Sequence, residues 1–356
     1  MKAILPFEVK YTPITKLALI NFEKKPDNVY CGLELQYIDG DPLGKGFRVI
    51  AYRNDKSVDV YDEKTIKFIP DENFDVTQKG LKQHVQRQFE NTCCDKENGN
   101  VHISFTFTDC DNRKIEVDIM EHTKKKSIPM NLLAPIGVGS EVPSFLPVFF
   151  LYDFDFVRRG KTDIKVLIDG EKLKLDPFPF PVPMNMQWRY YTRYSLESQI
   201  IEFLNSNSKK VRMVELNEEN KYMEGIVEYQ FEDCYGDMAL STLHIKSVKH
   251  PLQVVFQPPV SLETHSGEFH IIPEHQMGSI DGSYQVTEEG ENVRIKVIPD
   301  KGWKSGSSST ISKLIMGEKS VFCSWSKKYI YEQKINRNDL FSEAKWINFN
   351  IITKSK

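Results

Sequence analysis

The chain has 356 residues with a formal charge of −3 and a pI near 6.3, and 40% of it is hydrophobic. That length exceeds what one hydrophobic core usually serves, so two domains are expected, 1–185 and 186–356. The charge offers no basic field for nucleic acid or anionic lipid, which leaves a small molecule or a protein as the expected partner.

At the N-terminus, MKAILPFEVKYTP begins with an apolar run that Pro6 and Glu8 interrupt before a signal-peptide core could form. The run from Val142 to Tyr152 is broken by two prolines and is far shorter than the roughly 20 residues of a spanning helix. Six scattered cysteines (Cys31, Cys93, Cys94, Cys110, Cys234 and Cys323) fit reduced thiols in a cytoplasmic protein better than a disulfide scaffold. No CxxC or CxH cluster suggests zinc, and no cofactor is expected.

Period-two alternation, the mark of strands with one buried face, dominates the chain. It runs through Val101 to Thr108, Lys114 to Met120, Phe149 to Arg158, Asp163 to Ile168, Gln187 to Tyr194, Gly225 to Phe231, Leu240 to Lys246, Gln253 to Gln257 and Asn292 to Ile298. Turn signals separate these segments: Asp109–Asn112, Asp169-Gly170, Tyr235-Gly236-Asp237, Asp281-Gly282 and Glu289–Glu291. The expected fold class is all-β: two tandem antiparallel barrels or sandwiches with few short helices. Leu81, Val85 and Phe89 predict a helix over Lys79–Glu90, and a second is predicted over Leu196–Leu204 with Ser195 as N-cap; a strand remains the alternative for both. FTFTDC at Phe105–Cys110 echoes YQFEDC at Tyr229–Cys234, which is either coincidence between hairpins or a trace of tandem domains.

The stretch Ser127–Ser195 is the candidate functional region. Eight prolines fall between Pro129 and Pro183, and PFPFPVP (Pro177 to Pro183) reads as a polyproline II strap, either a stiff linker or a pocket wall. In the strand FFLYDFDFVR, Phe150, Tyr152, Phe154 and Phe156 are expected on one face. Leu151, Asp153, Asp155 and Val157 fall on the other, with the two carboxylates roughly 7 Å apart along the backbone. Downstream, Arg189, Tyr191 and Arg193 point one way, and Trp188, Tyr190, Thr192 and Tyr194 the other. One reading is structural, with Arg189 and Arg193 neutralising Asp153 and Asp155. The other is functional: these four form the polar, catalytic end of a cavity lined by Phe150, Tyr152, Phe154, Trp188, Tyr190, Tyr191 and Tyr194.

Weaker candidates are His265, His270 and His275 as a metal set, Glu121-His122 as a solvated hairpin end, Gly137 and Gly139 as a lone GxG, and Ser305–Ser312 as a mobile loop or lid.

A family resemblance rests on VLIDGEKLKL (Val166–Leu175), the aromatic-and-arginine strand MQWRYYTRYS (Met186–Ser195) and the Gly278–Trp303 segment ending in Gly-Trp. Together with two tandem β-domains, these resemble the two-domain lipocalin-like (calycin) proteins that include the carotenoid 1,2-hydratases, or hydroxyneurosporene synthases. The Gly-x-Trp signature expected near the start of a lipocalin is missing, and Cys31-Gly32-Leu33 stands there instead. The resemblance implies an apolar small molecule bound or transformed inside a barrel. From the residues themselves, a hydratase, cyclase or isomerase step would use Asp153 or Asp155 as proton donor. Rival readings are a carbohydrate-binding or carbohydrate-active sandwich, with a carboxylate pair for glycosidic chemistry, and an interaction protein with no small ligand. An aromatic face packed fully between the two domains is the mark expected of the last.

Overall fold

Alternation becomes strand wherever one face can be buried, and the computed structural model bears out the all-β expectation. It describes residues 1–23, 27–67, 75–76, 79–124, 130–134, 146, 149–177, 189–204, 207–234, 236–247, 249–274, 276–306 and 326–348. The only helical element among them is a 3₁₀ turn, Ser326–Lys328. No helix among the described residues is long and apolar enough to cross a membrane, and none of the sheets that they form closes into a barrel. The chain divides into two units. A central unit comprises Pro13–Asn131 and Leu151–Gln199, and a terminal unit comprises Met1–Thr12, Leu132–Phe150 and Ile200–Lys356.

In the central unit two sheets pack face to face. One has five antiparallel strands in the order Glu171–Lys172, Thr162–Ile168, Lys114–Glu121, Asn100–Thr108 and Glu90–Glu97. Its hairpins turn at Asp169-Gly170 and Asn98-Gly99, where both residues of each pair have positive φ, as a type I′ turn requires. The other sheet includes Ile14–Asn21, Tyr30–Gly40, Gly44–Arg53 and Val58–Glu63 as antiparallel neighbours. Between the sheets lies one apolar core: Ile20, Leu33, Leu35, Val49 and Tyr61 from one face meet Ile103, Phe105, Ile115, Val117 and Val166 from the other.

The terminal unit holds an antiparallel meander of ten strands. From Lys221–Glu224 it passes through Val227–Cys234, Asp237–Ile245, Leu252–Val260, His265–Pro273, Ser279–Glu289, Asn292–Lys304, Tyr329–Asn336 and Phe341–Asn348, and it ends at Asn207–Lys210. One face is polar. The other carries Tyr229, Phe256, Phe269, Ile295, Tyr331 and Trp346, all buried. The N-terminal segment fills part of that face: the Phe7 ring stacks on Phe256 at 5.6 Å and meets Tyr331 edge-on at 6.1 Å, while Gln333 Nε2 donates to the Pro6 carbonyl at 3.0 Å.

Both predicted helices are strands. Lys79–Arg87 pairs in parallel with Val58–Glu63. A four-residue apolar spacing keeps one face in a strand as it does in a helix, and pairing with an open edge decides between them. Leu196–Phe203 belongs to the strand Arg189–Phe203, in which nine residues are buried, so apolar side chains occupy both faces and the two-residue period disappears. Ser195 caps nothing; its hydroxyl donates to the Tyr152 carbonyl at 2.6 Å.

Asp169-Gly170, Gly236 and Gly290 all sit in turns, but Asp281-Gly282 does not. That pair lies inside the strand Ser279–Glu289, at a register shift, with Gly282 directly opposite Phe269. Glycine is used there for close approach: a Cβ would stand 2.2 Å from the Ile298 carbonyl oxygen and 2.4 Å from the Phe269 ring. Gly282→Ala is therefore expected to cost roughly 1–3 kcal/mol by overpacking. Gly160→Ala, where a Cβ meets nothing within 4 Å, should leave the urea midpoint unchanged.

Candidate functional site

The acidic strand does not keep its expected alternation. Asp153 has φ of 51°, in the left-handed region, and a residue so placed interrupts the pleat. Phe150, Leu151 and Tyr152 are consequently all buried, whichever face simple alternation assigns them. Asp153 turns to Lys96, whose Nζ lies 2.6 and 2.8 Å from its two oxygens.

Asp155 instead enters the core of the central unit, 4% exposed. It accepts from the Phe156 amide at 2.8 Å, and Arg189 Nη2 stands 3.5 Å from the same oxygen. Arg189 also donates through Nη1 to the Phe156 carbonyl at 2.6 Å, so one guanidinium serves both the carboxylate and the backbone beside it. Burial raises the Asp155 pKa, the Arg189 and Phe156 contacts oppose that, and the neighbouring charge of Glu121 adds to it. Glu121 is itself 3% exposed and accepts from the Arg158 amide at 2.8 Å. The expected solvated hairpin end is thus half wrong: His122 faces Asp163 at the surface, whereas Glu121 turns inward. Tyr194 is a core residue whose phenol is raised first by burial and then by Asp155 and Glu121.

The proposed charge group therefore divides. Asp155 and Arg189 meet, Asp153 belongs to Lys96, and Arg193 donates to Asn21 Oδ1 at 3.1 Å with its guanidinium 4.3 Å from the Tyr191 ring centre. The aromatic group divides as well. Phe154 and Phe156 meet edge to face at 5.1 Å, Phe156 stacks with Tyr191 at 6.4 Å, and Tyr190 lies under Arg159 at 5.6 Å. Phe150 packs against Phe203 at 6.3 Å within the terminal unit. Tyr152, Phe154 and Tyr194 are 1–3% exposed. Trp188, Gly137, Gly139, His275, Pro179–Pro183 and most of Ser305–Ser312 lie outside the described residues. The other two histidines of that trio are engaged separately, His265 with the Glu263 carbonyl at 2.7 Å and His270 with Asp281 at 2.9 Å.

Sequence reasoning missed a second buried polar group in the central unit. Asp59, fully buried, accepts from Tyr30 at 3.0 Å and from Arg53 at 2.6 Å; the Tyr30 and Tyr61 hydroxyls lie 2.8 Å apart, and Tyr61 reaches Cys110 Sγ at 2.7 Å. Burial drives both phenols far above their usual range, so they act here as neutral links. The available signal was VDVYDE at Val58–Glu63, where Asp59 and Asp62 interrupt opposite faces of one strand. Asp62, also fully buried, takes a two-pronged Arg48 at 2.6 and 2.9 Å and His84 at 2.9 Å.

In the terminal unit, Leu146, Phe203, Phe256, Phe269, Ile271 and Trp346 help to line a wholly apolar cavity of about 20 Å³. That is room for about one water-sized group, against the roughly 150 Å³ that accepts benzene. Comparisons with protein-family models, with curated proteins and with solved structures give no match to this chain.

The raised Asp155 pKa has a definite sign in stability. The folded protein holds this proton more tightly than the unfolded chain, so the contribution favours folding at low pH and is lost as pH rises from 3.8 through the raised value. Asp155→Asn cannot titrate. The stability of the wild type relative to this variant, measured by urea unfolding between about pH 3 and pH 8, is expected to decline with rising pH; an increase would mean that Arg189 outweighs burial.

Proposed function

We propose that this all-β protein binds an amphipathic small molecule in its central unit, with Asp155 and Arg189 meeting the polar end and Phe154, Phe156 and Tyr191 beside the apolar part. The observation that carries this reading is the Asp155 carboxyl, buried, raised in pKa and faced by a guanidinium at 3.5 Å. A carboxyl that keeps its proton can donate to a hydroxyl or carbonyl oxygen, and the adjacent guanidinium stabilises negative charge developing there. In a hydration, cyclisation or isomerisation, Asp155 is the proton donor and Arg189 the electrostatic partner. The lipocalin-like kinship is part of the same proposal, supported by an up-and-down meander with a continuous apolar face. The glycosidic alternative needs two carboxyls flanking one bond, whereas Asp153 is engaged by Lys96.

A second reading, an interaction protein with no small ligand, is favoured by the burial of Phe150, Tyr152, Phe154 and Tyr194 at 0–3% exposure. One experiment separates the two: native mass spectrometry of protein purified from its own host, followed by organic extraction, on the wild type, Asp155→Asn and Arg189→Met. The binding reading expects a bound lipid or terpenoid on the wild type, at least about tenfold depleted per folded molecule in both variants, which is about 1.4 kcal/mol of affinity. Clean wild-type protein, or variants that lose stability while retaining the ligand, favours the structural reading.

A further inference from the structure

The outer face of the five-stranded sheet carries a group of side chains that the reading above does not use. In the strand Glu90–Glu97, Cys93, Asp95 and Glu97 are two residues apart and so share a face. The Asn98-Gly99 turn returns the chain with His102 directly opposite Asp95, and hence diagonal to both Cys93 and Glu97. Asp95 is engaged by Lys16 at 2.6 Å. His102 then lies between a thiol and a carboxylate, and the Cys93 sulfur, a Glu97 oxygen and a His102 ring nitrogen all fall within 4.8 Å of one another.

The histidine supplies the second observation. Its Nδ1 is 3.1 Å from Glu97 Oε1 and its Nε2 is 3.1 Å from Asp118 Oδ1. Two carboxylates facing one imidazole mark a place for positive charge, which a second ring proton or a metal ion can supply. A metal ion between Nδ1 and Glu97 takes the place of that proton. It leaves Nε2–H to donate to Asp118, the carboxylate–histidine arrangement that orients metal-bound imidazoles. The spacing is suitable: tetrahedral zinc with bonds of about 2.0–2.3 Å separates its ligand atoms by about 3.3–3.8 Å. The 3.1 Å contact is close to this range, and no separation exceeds it by more than about 1 Å, within reach of a side-chain rotation at a surface where Glu97 is half exposed. Glu97 and Asp118, both against His102, give the group a negative field that attracts a dication, and the Cys93 thiol gives up its proton on binding.

We propose that Cys93, Glu97 and His102 form a zinc site on the outer face of this sheet, with Asp118 as the residue that positions His102. Mixed sulfur, nitrogen and oxygen donors suit Zn²⁺ rather than Mg²⁺ or Ca²⁺, and solvent completes the coordination.

The test uses the full chain stripped of metal. Titration with Co²⁺ is expected to saturate at one ion per chain and to produce a thiolate-to-cobalt charge-transfer band in the near ultraviolet, which reads the ligand set without any variant. Zn²⁺ affinity, measured against a chromophoric chelator, should drop by about 10–100-fold in Asp118→Asn, and further in Cys93→Ser and His102→Ala. All three face solvent at least in part, and circular dichroism checks that each still folds. Cobalt bound without the sulfur band overturns the proposal, as does zinc affinity indifferent to Cys93→Ser and His102→Ala. So does a nitrogen NMR spectrum in which His102 remains doubly protonated under excess zinc.

Discussion

Acidic groups taken out of water dictate much of the central unit. Asp59, Asp62, Asp109, Glu121 and Asp155 are each no more than 4% exposed, and an ion left alone in such a place costs several kcal/mol. Each has its own answer. Asp59 has Arg53 and Tyr30, and Asp62 has Arg48 and His84. Asp109 accepts from its own turn, taking the Asp111 and Arg113 amides at 2.9 and 2.8 Å and the Arg113 guanidinium at 2.9 Å. Glu121 and Asp155 accept from backbone amides, and Arg189 stands beside the latter. Asp59, Asp62, Glu121 and Asp155 stand at buried strand positions, so they restrict which register the sheets can adopt: slipping any of these strands by one residue separates a buried acid from its partner.

This arrangement sets Asp155 apart from the rest. Asp59, Asp62 and Asp109 have guanidinium contacts of 2.6–2.9 Å, whereas Arg189 stands 3.5 Å from Asp155. Burial outweighs Arg189 and the Phe156 amide there, and the carboxyl is held toward its neutral form. A structural ion pair and a proton donor differ here by less than one ångström of guanidinium placement, and both readings of the aspartate–arginine group find something to build on.

The sequence made the strand content, the hairpins at Asp169-Gly170 and Glu289–Glu291 and the pairing of Asp155 with Arg189 legible, because each depends on local periodicity or turn chemistry. Three features were not. The left-handed backbone at Asp153 is a single dihedral angle that an aspartate tolerates without announcing it, yet it redirects that carboxylate to Lys96. The strand at Leu196–Leu204 is buried on both faces and so lacks the period that identifies strands. Cys93 and His102 are nine residues apart, and only the two-residue turn at Asn98-Gly99 makes them neighbours. Asn-Gly was the signal, since that dipeptide is the strongest short-range mark of a tight hairpin.

The insertion of Phe7 against Phe256 and Tyr331 bears on the order in which the molecule can be made. Pro6 and its hydrogen-bond donor Gln333 are 327 residues apart, and synthesis at about 5–20 residues per second separates them by roughly 15–65 seconds. During that interval the segment around Phe7 has none of its meander partners, and the earlier meander strands present an incomplete apolar face. Such long-range closure is slow and leaves strand edges open. The terminal unit therefore cannot close until Tyr331 and Gln333 have been made, and a nascent chain stalled before Tyr331 exposes an apolar segment for chaperones to hold.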